Sequence, residues 1–530
     1  MFSDPSRARV HDEIHRCDHA LFTHILTADL FIQAARLCGL RLLANPLNLV
    51  NLVWLAISAA RNPEKTFAQL LCLPFDTLRN SENFSASLLN KLIDEAKVAP
   101  TGNRQQRRAQ AAQAKHDPHG SHPERVTEKS FDKARLRMPS EFWVAVFLLL
   151  AEKFVGLYGA VIRWRHFRLM AVDGSRLNLP DYPELRQYFG TANNSGGSHN
   201  AQAQLVMVQF PLARLPYAYA LAPVKLGEVT LARQLLHGLS IFDLVLLDAG
   251  FLSYGLLWQI QQQSGHFVVR LRKNLNLRKL QDLGPGDQLV QWTPKDSRGN
   301  WRKEGLPRSI VLRVLTYKVR GFRPLKLLSN VLSAKEVSHQ EFWGLTVSQE
   351  GEVLTKGLYN NRWEIETSYR ELKVEQKLEG SLRSRTPEGI YYEVAGHILY
   401  YTLVRWLLVE AAVKAGVSPL RLSFKAALEA INDMWPMALV AGEAWRDAVL
   451  RPRLLEKMAS HVVVERPCRQ YPRSKKQRKA SKRRADKKAK QANKARSGRK
   501  QQPAQQRQWF GQGWDLSGPL PQPDATDGSG

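Results

Sequence analysis

The pattern of apolar and polar positions changes character several times along the chain. From residue 1 to about 100, ALFTHILTADLFIQAARLC and NLVNLVWLAISAA place apolar residues at helical spacing, with Asn and Pro between them, which predicts a helical N-terminal region. Residues 101–139 are polar, basic and poor in large apolar groups, the composition of a linker or arm. From 140 to 273 the pattern is mixed α/β. FRLMAVDGS (167–175), QAQLVMVQF (202–210) and LPYAYALAPV (215–224) predict three strands. TLARQLLHGL (230–239) then predicts a helix, DLVLLDAGF (243–251) a strand, SYGLLWQIQQQ (253–263) a helix and HFVVRLR (266–272) a strand. Residues 274–350 break this alternation with strand-like runs and turn signals, an inserted β subdomain. Helices return over 351–455, the longest at 386–415. From 456 to 530 the chain is basic and of low complexity, then rich in Gln, Pro and Gly, which predicts a disordered tail.

One predicted helix carries candidate chemistry. In GLYNNRWEIETSYRELKVEQK (357–377), a turn of about 100° per residue puts Tyr359, Arg362 and Lys373 within about 40° of Glu366. Arg370 and Lys377 fall close to the same stripe. Glu364, Glu371 and Glu375 cluster on a different face, expected to be solvated, and Ile365, Tyr369 and Leu372 make an apolar face. A single carboxylate among cations suits a metal ligand facing a phosphodiester, with the cations holding phosphates. The plainer alternative is a surface helix in which Glu366 makes i,i+4 salt bridges to Arg362 and Arg370. Asp173 and Asp248 each close a predicted strand, where a side chain can emerge at a sheet edge, although an Asp there is also an ordinary turn former or cap.

Charge narrows the choice of partner. The formal net charge is +29 over 530 residues and the pI is about 10.1, which points to a polyanion, nucleic acid before membrane. Residues 466–500 hold 17 Lys and Arg against the single acid Asp486, so the body stays basic without its tail. Cys17, Cys38, Cys72 and Cys468 are too few and too irregular for a disulfide framework or a zinc site, which suits a reducing compartment. The polar opening MFSDPSRARVHDE predicts no signal peptide, and the apolar run at 142–151 is too short to span a bilayer. A soluble, cytoplasmic, nucleoid-associated protein is expected.

Tyr359, Arg362, Glu366 and Lys373 fit Y-x2-R-x3-E-x6-K at all four positions, within an R-W-x-I-E core. This segment resembles the signature of bacterial insertion-sequence transposases of the IS-four group. The resemblance covers roughly 165–415 and implies an RNase H-like catalytic core, interrupted by the β insertion. It implies that Asp173, in a D-G-S context, Asp248, before Ala249-Gly250-Phe251, and Glu366 are the catalytic and metal-binding triad. Ala249 stands where that group often has a basic residue. Hard ions with open positions prefer carboxylate oxygens, so two Mg²⁺ are expected, with Mn²⁺ able to replace them. Tyr359, Arg362 and Lys373, with Arg370 and Lys377, would bind DNA near the cut. The implied reaction is cleavage at the terminal inverted repeats followed by strand transfer into target double-stranded DNA, by a homodimer that brings two ends together.

Two rival functions remain at this point: an RNase H-like nuclease without strand transfer, and a catalytically silent DNA-binding derivative of a transposase. Trp292 and Trp301, near Arg298, Arg302 and Lys303 in the β insertion, can stack an unpaired base or simply pack in a small sheet. The basic tail would bind phosphates without reading sequence, or serve only as a disordered basic extension for solubility or import.

Overall fold

The structure, a computed structural model, describes residues 21–40, 49–67, 128–191, 200–272, 275–294, 304–317, 324–343, 357–440 and 443–464. Trp301 with its neighbouring cations, most of the 101–139 linker and the basic tail from 465 lie outside the described residues. The chain divides into two compact units, one of residues 1–267 with 361–464, the other including 268–360.

The first unit is built on a sheet. Its strands are β1 (Arg163–Trp164), β2 (Phe167–Asn178), β3 (Gln202–Phe210), β4 (Leu215–Pro223), β5 (Asp243–Leu247) and the opening of β6 (His266–Arg270). The order is β4-β3-β2-β5-β6, with β1 paired to β2 off this path. β2, β3 and β4 pair antiparallel, whereas β5 runs parallel to β2. Helices α6 (Glu228–Leu235) and α7 (Tyr254–Gln262) fill the crossovers before and after β5. Three antiparallel strands followed by alternating helix and strand make this an RNase H-like core. β3 is buried at every position after Gln202 and β5 throughout, as expected for strands covered on both faces.

The covering helices include α1 (Ala28–Leu37), α2 (Leu49–Arg61), α3 (Glu128–Arg135), α4 (Ser140–Tyr158), α5 (Pro183–Phe189), and, beyond the insertion, α8 (Glu364–Arg370), α9 (Pro387–Ala415), α10 (Phe424–Val440) and α11 (Arg451–Ala459). α4 meets the sheet through Phe147 against Tyr219, 5.1 Å between ring centres. α9 is buried along almost its whole length. Only a glycine at 396 lets α2 cross it this closely, because a Cβ there would lie 2.7 Å from Ala56 Cβ. The N-terminal helices therefore join the compact core unit. α2 is apolar on nearly all sides, with Val50 and Leu52 through Ala60 buried, and has to lie inside. α3 also belongs to the core, since Phe131 is fully buried, and α11 carries ordered chain to Ala459.

The second unit is an antiparallel meander. Residues 268–270 of β6 pair with β10 (Leu325–Ser329), which is followed in order by β9 (Ile310–Tyr317), β8 (Asp287–Trp292) and β7 (Leu277–Gly284). Arg313 is fully buried there, gripping both oxygens of Asp287 at 2.8 and 2.5 Å and the Val337 carbonyl at 2.7 Å. Trp292, at the end of β8, is only 5% exposed, which matches the packing reading of this ring and leaves it no open face for a base.

The Glu366 segment is not one continuous helix. A 3₁₀ turn spans Leu358–Trp363, α8 follows, a π turn spans Glu371–Glu375, and Lys377 adopts a left-handed φ of 56°. These changes of pitch undo the wheel beyond about one turn from Glu366. Glu364 and Glu371, expected on a solvated face, are 4% and 3% exposed. Their partners come from far along the chain. Arg214, in the β3–β4 turn, bonds Glu364 at 2.6 Å and Glu371 at 3.0 Å. The Tyr401 hydroxyl donates to Glu371 at 2.8 Å, and the fully buried Arg405 pairs with the same carboxylate.

Removing one member of such a network leaves opposite charges buried without compensation. Glu371→Ala should therefore cost about 3–5 kcal/mol in urea unfolding, against the small effect expected of a solvated glutamate. A cost below about 1 kcal/mol, the range of an exposed pair, would contradict the burial.

Candidate active site

The site begins with a difference in strand length. β2 and β5 run parallel with Val172 beside Leu247, and β5 ends there. The next residue on each strand is an aspartate, Asp173 and Asp248. Register thus sets the two residues one step beyond the same paired level, on neighbouring strands whose backbones lie about 4.8 Å apart. The sequence places Asp173 at a strand end, but β2 runs on to Asn178, pairing Asp173 with Met207 of β3. The end that matters belongs to β5.

α8 faces this point. The Tyr369 hydroxyl donates to the Asp173 carbonyl at 2.9 Å, which fixes the helix against β2. Glu366, 45% exposed, accepts from Arg362 Nη2 at 2.9 Å, so the i,i+4 pairing holds for Arg362. Arg370 instead approaches Glu375 at 3.7 Å. Lys373 pairs with Glu379 at 2.9 Å and donates to the Arg176 carbonyl. Arg362 and Tyr359 are each only 4% exposed, whereas Arg370 and Lys377 are exposed. The structure brings Asp173, Asp248, Glu366, Arg362 and Lys373 to the core unit, but it sets no continuous stripe of cations beside Glu366.

Burial pushes the Asp173 carboxyl up to about 6; the Gly174 N–H, donating at 2.9 Å, and the Arg362 charge pull it down, and Glu366 and Glu228 push it up again. Carboxylates crowding one another without enough cations is the condition a hard divalent ion relieves, and an all-oxygen donor set suits Mg²⁺ or Mn²⁺. The donor chemistry thus fits such an ion. The ligand cage is not assembled, however: among the described residues no three acids or histidines stand close enough to hold a metal together, with Glu366 turned to Arg362.

Two features near Asp173 are missing from the sequence reading. Glu228 opens α6, and its charge reaches Asp173. Arg176, three residues beyond Asp173, joins Lys225 and Tyr188 in lining a cavity of about 360 Å³. The one visible signal is a glutamate just after Gly227, two residues before the helix predicted over 230–239, and it reads equally well as a helix-end acid.

The raised Asp173 group makes stability depend on pH. Between about pH 4 and pH 6 the folded protein keeps a proton that the unfolded chain, with an Asp near 3.9, has lost. Stability therefore falls as pH rises through that window. Asp173→Asn removes this loss, so the metal-free variant should gain on the order of 1–3 kcal/mol relative to the native chain between pH 4 and pH 7. Urea unfolding with chelator at both pH values measures it; a gap unchanged between them would show that Asp173 titrates as an ordinary aspartate.

Several known proteins resemble this chain. Residues 164–403, which contain all three carboxylates, match the transposase DDE domain family. The transposase InsG for insertion sequence element IS4 of Escherichia coli strain K12 is 30% identical over 330 residues, 59% of this chain and 71% of that protein. The putative transposase InsZ of the same strain is 31% identical over 116 residues, 21% of this chain and 39% of that protein. A piggyBac transposase synaptic complex with hairpin DNA aligns over 87% of this chain and 88% of that one at 10% identity, with a TM-score of 0.36, a likeness too slight to bear on the fold or chemistry. Family members use divalent metal ions and bind DNA. Among the described residues no helix is long and apolar enough to cross a membrane. With 71% of InsG covered at 30% identity, and an aspartate pair at adjoining strand positions facing a glutamate helix, the chain belongs to the IS4 family of DDE transposases, enzymes that cleave and join DNA.

Proposed function

We propose that Asp173, Asp248 and Glu366 are the catalytic carboxylates, and that together they hold two Mg²⁺ ions, which Mn²⁺ can replace. The observation that supports this is the register of β2 and β5, in which Asp173 and Asp248 each follow the paired Val172 and Leu247, together with the charge of Glu366 that reaches Asp173. When bound, such ions neutralise phosphate charge and make water and the 3′-hydroxyl better nucleophiles. The remaining work falls to this chain's own groups. Arg362 holds Glu366 in place and shields Asp173 from it. The hydrogen bond from Tyr369 keeps the glutamate helix seated on β2 while the aspartates are loaded. Exposed Arg370, Lys377 and Arg176 meet phosphates of the DNA end, with Lys373 bracing the strand beside them. The substrates are the element's terminal inverted repeats and a target duplex, handled by a homodimer that holds two ends, on DNA of the nucleoid, probed most directly as cut-and-paste transfer.

Cleavage and joining of a labelled transposon end tests this. Asp173→Ala, Asp248→Ala and Glu366→Ala should each lower cleavage by at least about 1000-fold, the scale on which central catalytic groups act, while end binding persists. Chelating divalent ions should reproduce the loss. Mg²⁺-dependent cleavage that survives Glu366→Ala would remove Glu366 from the triad.

A further inference from the structure

Arg176 and Lys225 share a cavity that the carboxylates do not explain. Arg176 stands three residues beyond Asp173 on β2, about 10 Å along the strand, and on the other side of its alternation, so this cavity is separate from the aspartates. Register sets Arg176 beside Gln204 of β3, which pairs in turn with Ala222 of β4. The row ends on a methyl group, and Lys225 follows just past the end of β4.

The end of α5 supplies the rest of the wall. The Gln202 N–H donates to the Gly190 carbonyl at 3.0 Å, and the Val224 N–H to the Phe189 carbonyl at 2.9 Å, which ties the helix end to the start of β3 and to the chain leaving β4. Gly190 has a φ of 90°, and a Cβ there would lie 2.9 Å from Val224 Cγ2. Both the conformation and the close approach call for glycine. Gln187, Tyr188 and Thr191 thereby join Arg176 and Lys225 around a cavity of about 360 Å³, at the small end of ligand sites.

The charge of this cavity is uncompensated. Nearby cations already have partners: Arg186 pairs with Asp181, and Lys373 with Glu379 at 2.9 Å. Glu228, an acid close to this face of β2, is bonded by Gln204 at 3.2 Å. Among the described residues neither Arg176 nor Lys225 pairs with a carboxylate, and both are exposed. Two like charges lining one hollow repel, and an anion between them relieves that. Arg offers a planar fork that matches phosphate oxygens, and Lys a point charge. The hollow has room for one nucleotide unit and none for a duplex.

We infer that this cavity is a phosphate subsite, in which Arg176 and Lys225 together hold one phosphate group of a DNA strand. The inference deepens the reading of Arg176 as a phosphate contact and rests on it; it does not need the carboxylates to hold metal. One strand of DNA advances about 3.4 Å per nucleotide, so a separation of about 10 Å along β2 places the gripped phosphate about three nucleotides from the bond that is cut. The phosphate is either an internal diester or the 5′-phosphate of a strand end, since the same two cations serve both.

Binding of a labelled single strand to the full-length protein tests this. The strand has about ten nucleotides, within the span of a strand-binding groove, and carries a 5′-phosphate in one arm and a 5′-hydroxyl in the other. Chelator is present throughout, so bound metal plays no part. Arg176→Ala and Lys225→Ala should each weaken binding by about 10-fold, the scale of one lost charge-assisted hydrogen bond. The double variant should lose little more than either single one, because both cations hold the same phosphate. Its salt slope should fall by about 0.7, the share of one phosphate on a single strand, rather than twice that. Gln187→Glu keeps the shape of the cavity, puts a negative charge in it, and should weaken binding in the same way. Arg453→Ala, an exposed cation of α11 with no carboxylate partner among the described residues, should change binding little. A loss confined to the 5′-phosphorylated strand assigns the subsite to a strand end, and an equal loss on both strands assigns it to an internal phosphate. If the two variants lose no more than Arg453→Ala, or if their losses simply add, they are separate surface charges and the subsite is overturned. If cleavage survives Glu366→Ala while these variants still lose binding, the triad falls and the subsite stands.

Discussion

The buried ion network around Glu371 is the constraint on which the rest of the core depends. Glu366 is useful only if α8 sits at one depth and rotation against β2, and the helix is too short and too interrupted to hold itself there. Glu364 and Glu371 supply the anchorage. They bracket Glu366 along the chain and are tied to Arg214 in the β3–β4 turn, while Glu371 is also tied to Arg405 and Tyr401 in α9. A hydrophobic contact would tolerate sliding by a fraction of a turn. Two guanidinium forks that must keep their carboxylates satisfied in a dry interior do not, because any slip strands a charge. Arg214 itself adopts a left-handed φ of 51°, a conformation this turn accepts in order to aim the guanidinium back at the helix.

The aspartates are positioned by a different principle. Neither takes part in that network; the parallel pairing of β2 with β5 ends one residue before each of them. What creates the site is that β5 stops at Leu247 while β2 goes on, so Asp248 leaves the ladder beside Asp173. The continued pairing of β2 with β3 keeps Asp173 stiff; the Ala249–Phe251 turn lets Asp248 emerge with its side chain free of cap bonds. Asp173 is thus held stiffly and Asp248 less so, while Glu366 is paired with Arg362.

Sequence patterning made the sheet legible because its strands bury nearly every residue, and continuous apolar runs such as 202–210 have no other use. The helical wheel drawn through 359–377 was right about Arg362 and Glu366, one turn apart, and failed beyond that distance. The failure has two physical sources. A 3₁₀ turn and a π turn alter the rotation per residue, and nothing in the local composition announces them. The second source is distance along the chain: Glu364 and Glu371 look like solvent-facing acids until Arg214, about 150 residues earlier, and Arg405 fold against them. Charged residues are usually outside, so a pattern argument assigns them outward whenever their partners are remote.

Charge on two scales then sets the order of events. The chain as a whole carries +29, which draws DNA from a distance and in any orientation. At the site the sign reverses, because Asp173, Asp248 and Glu366 outnumber Arg362, and a phosphodiester brought there by the basic surface is repelled over the last few ångströms. Repulsion at contact range is not screened by salt as the long-range attraction is. On the two-metal reading proposed above, divalent ions would let one end of the sheet be acidic and yet accept a phosphate, so that loading of the carboxylates would precede productive seating of the DNA.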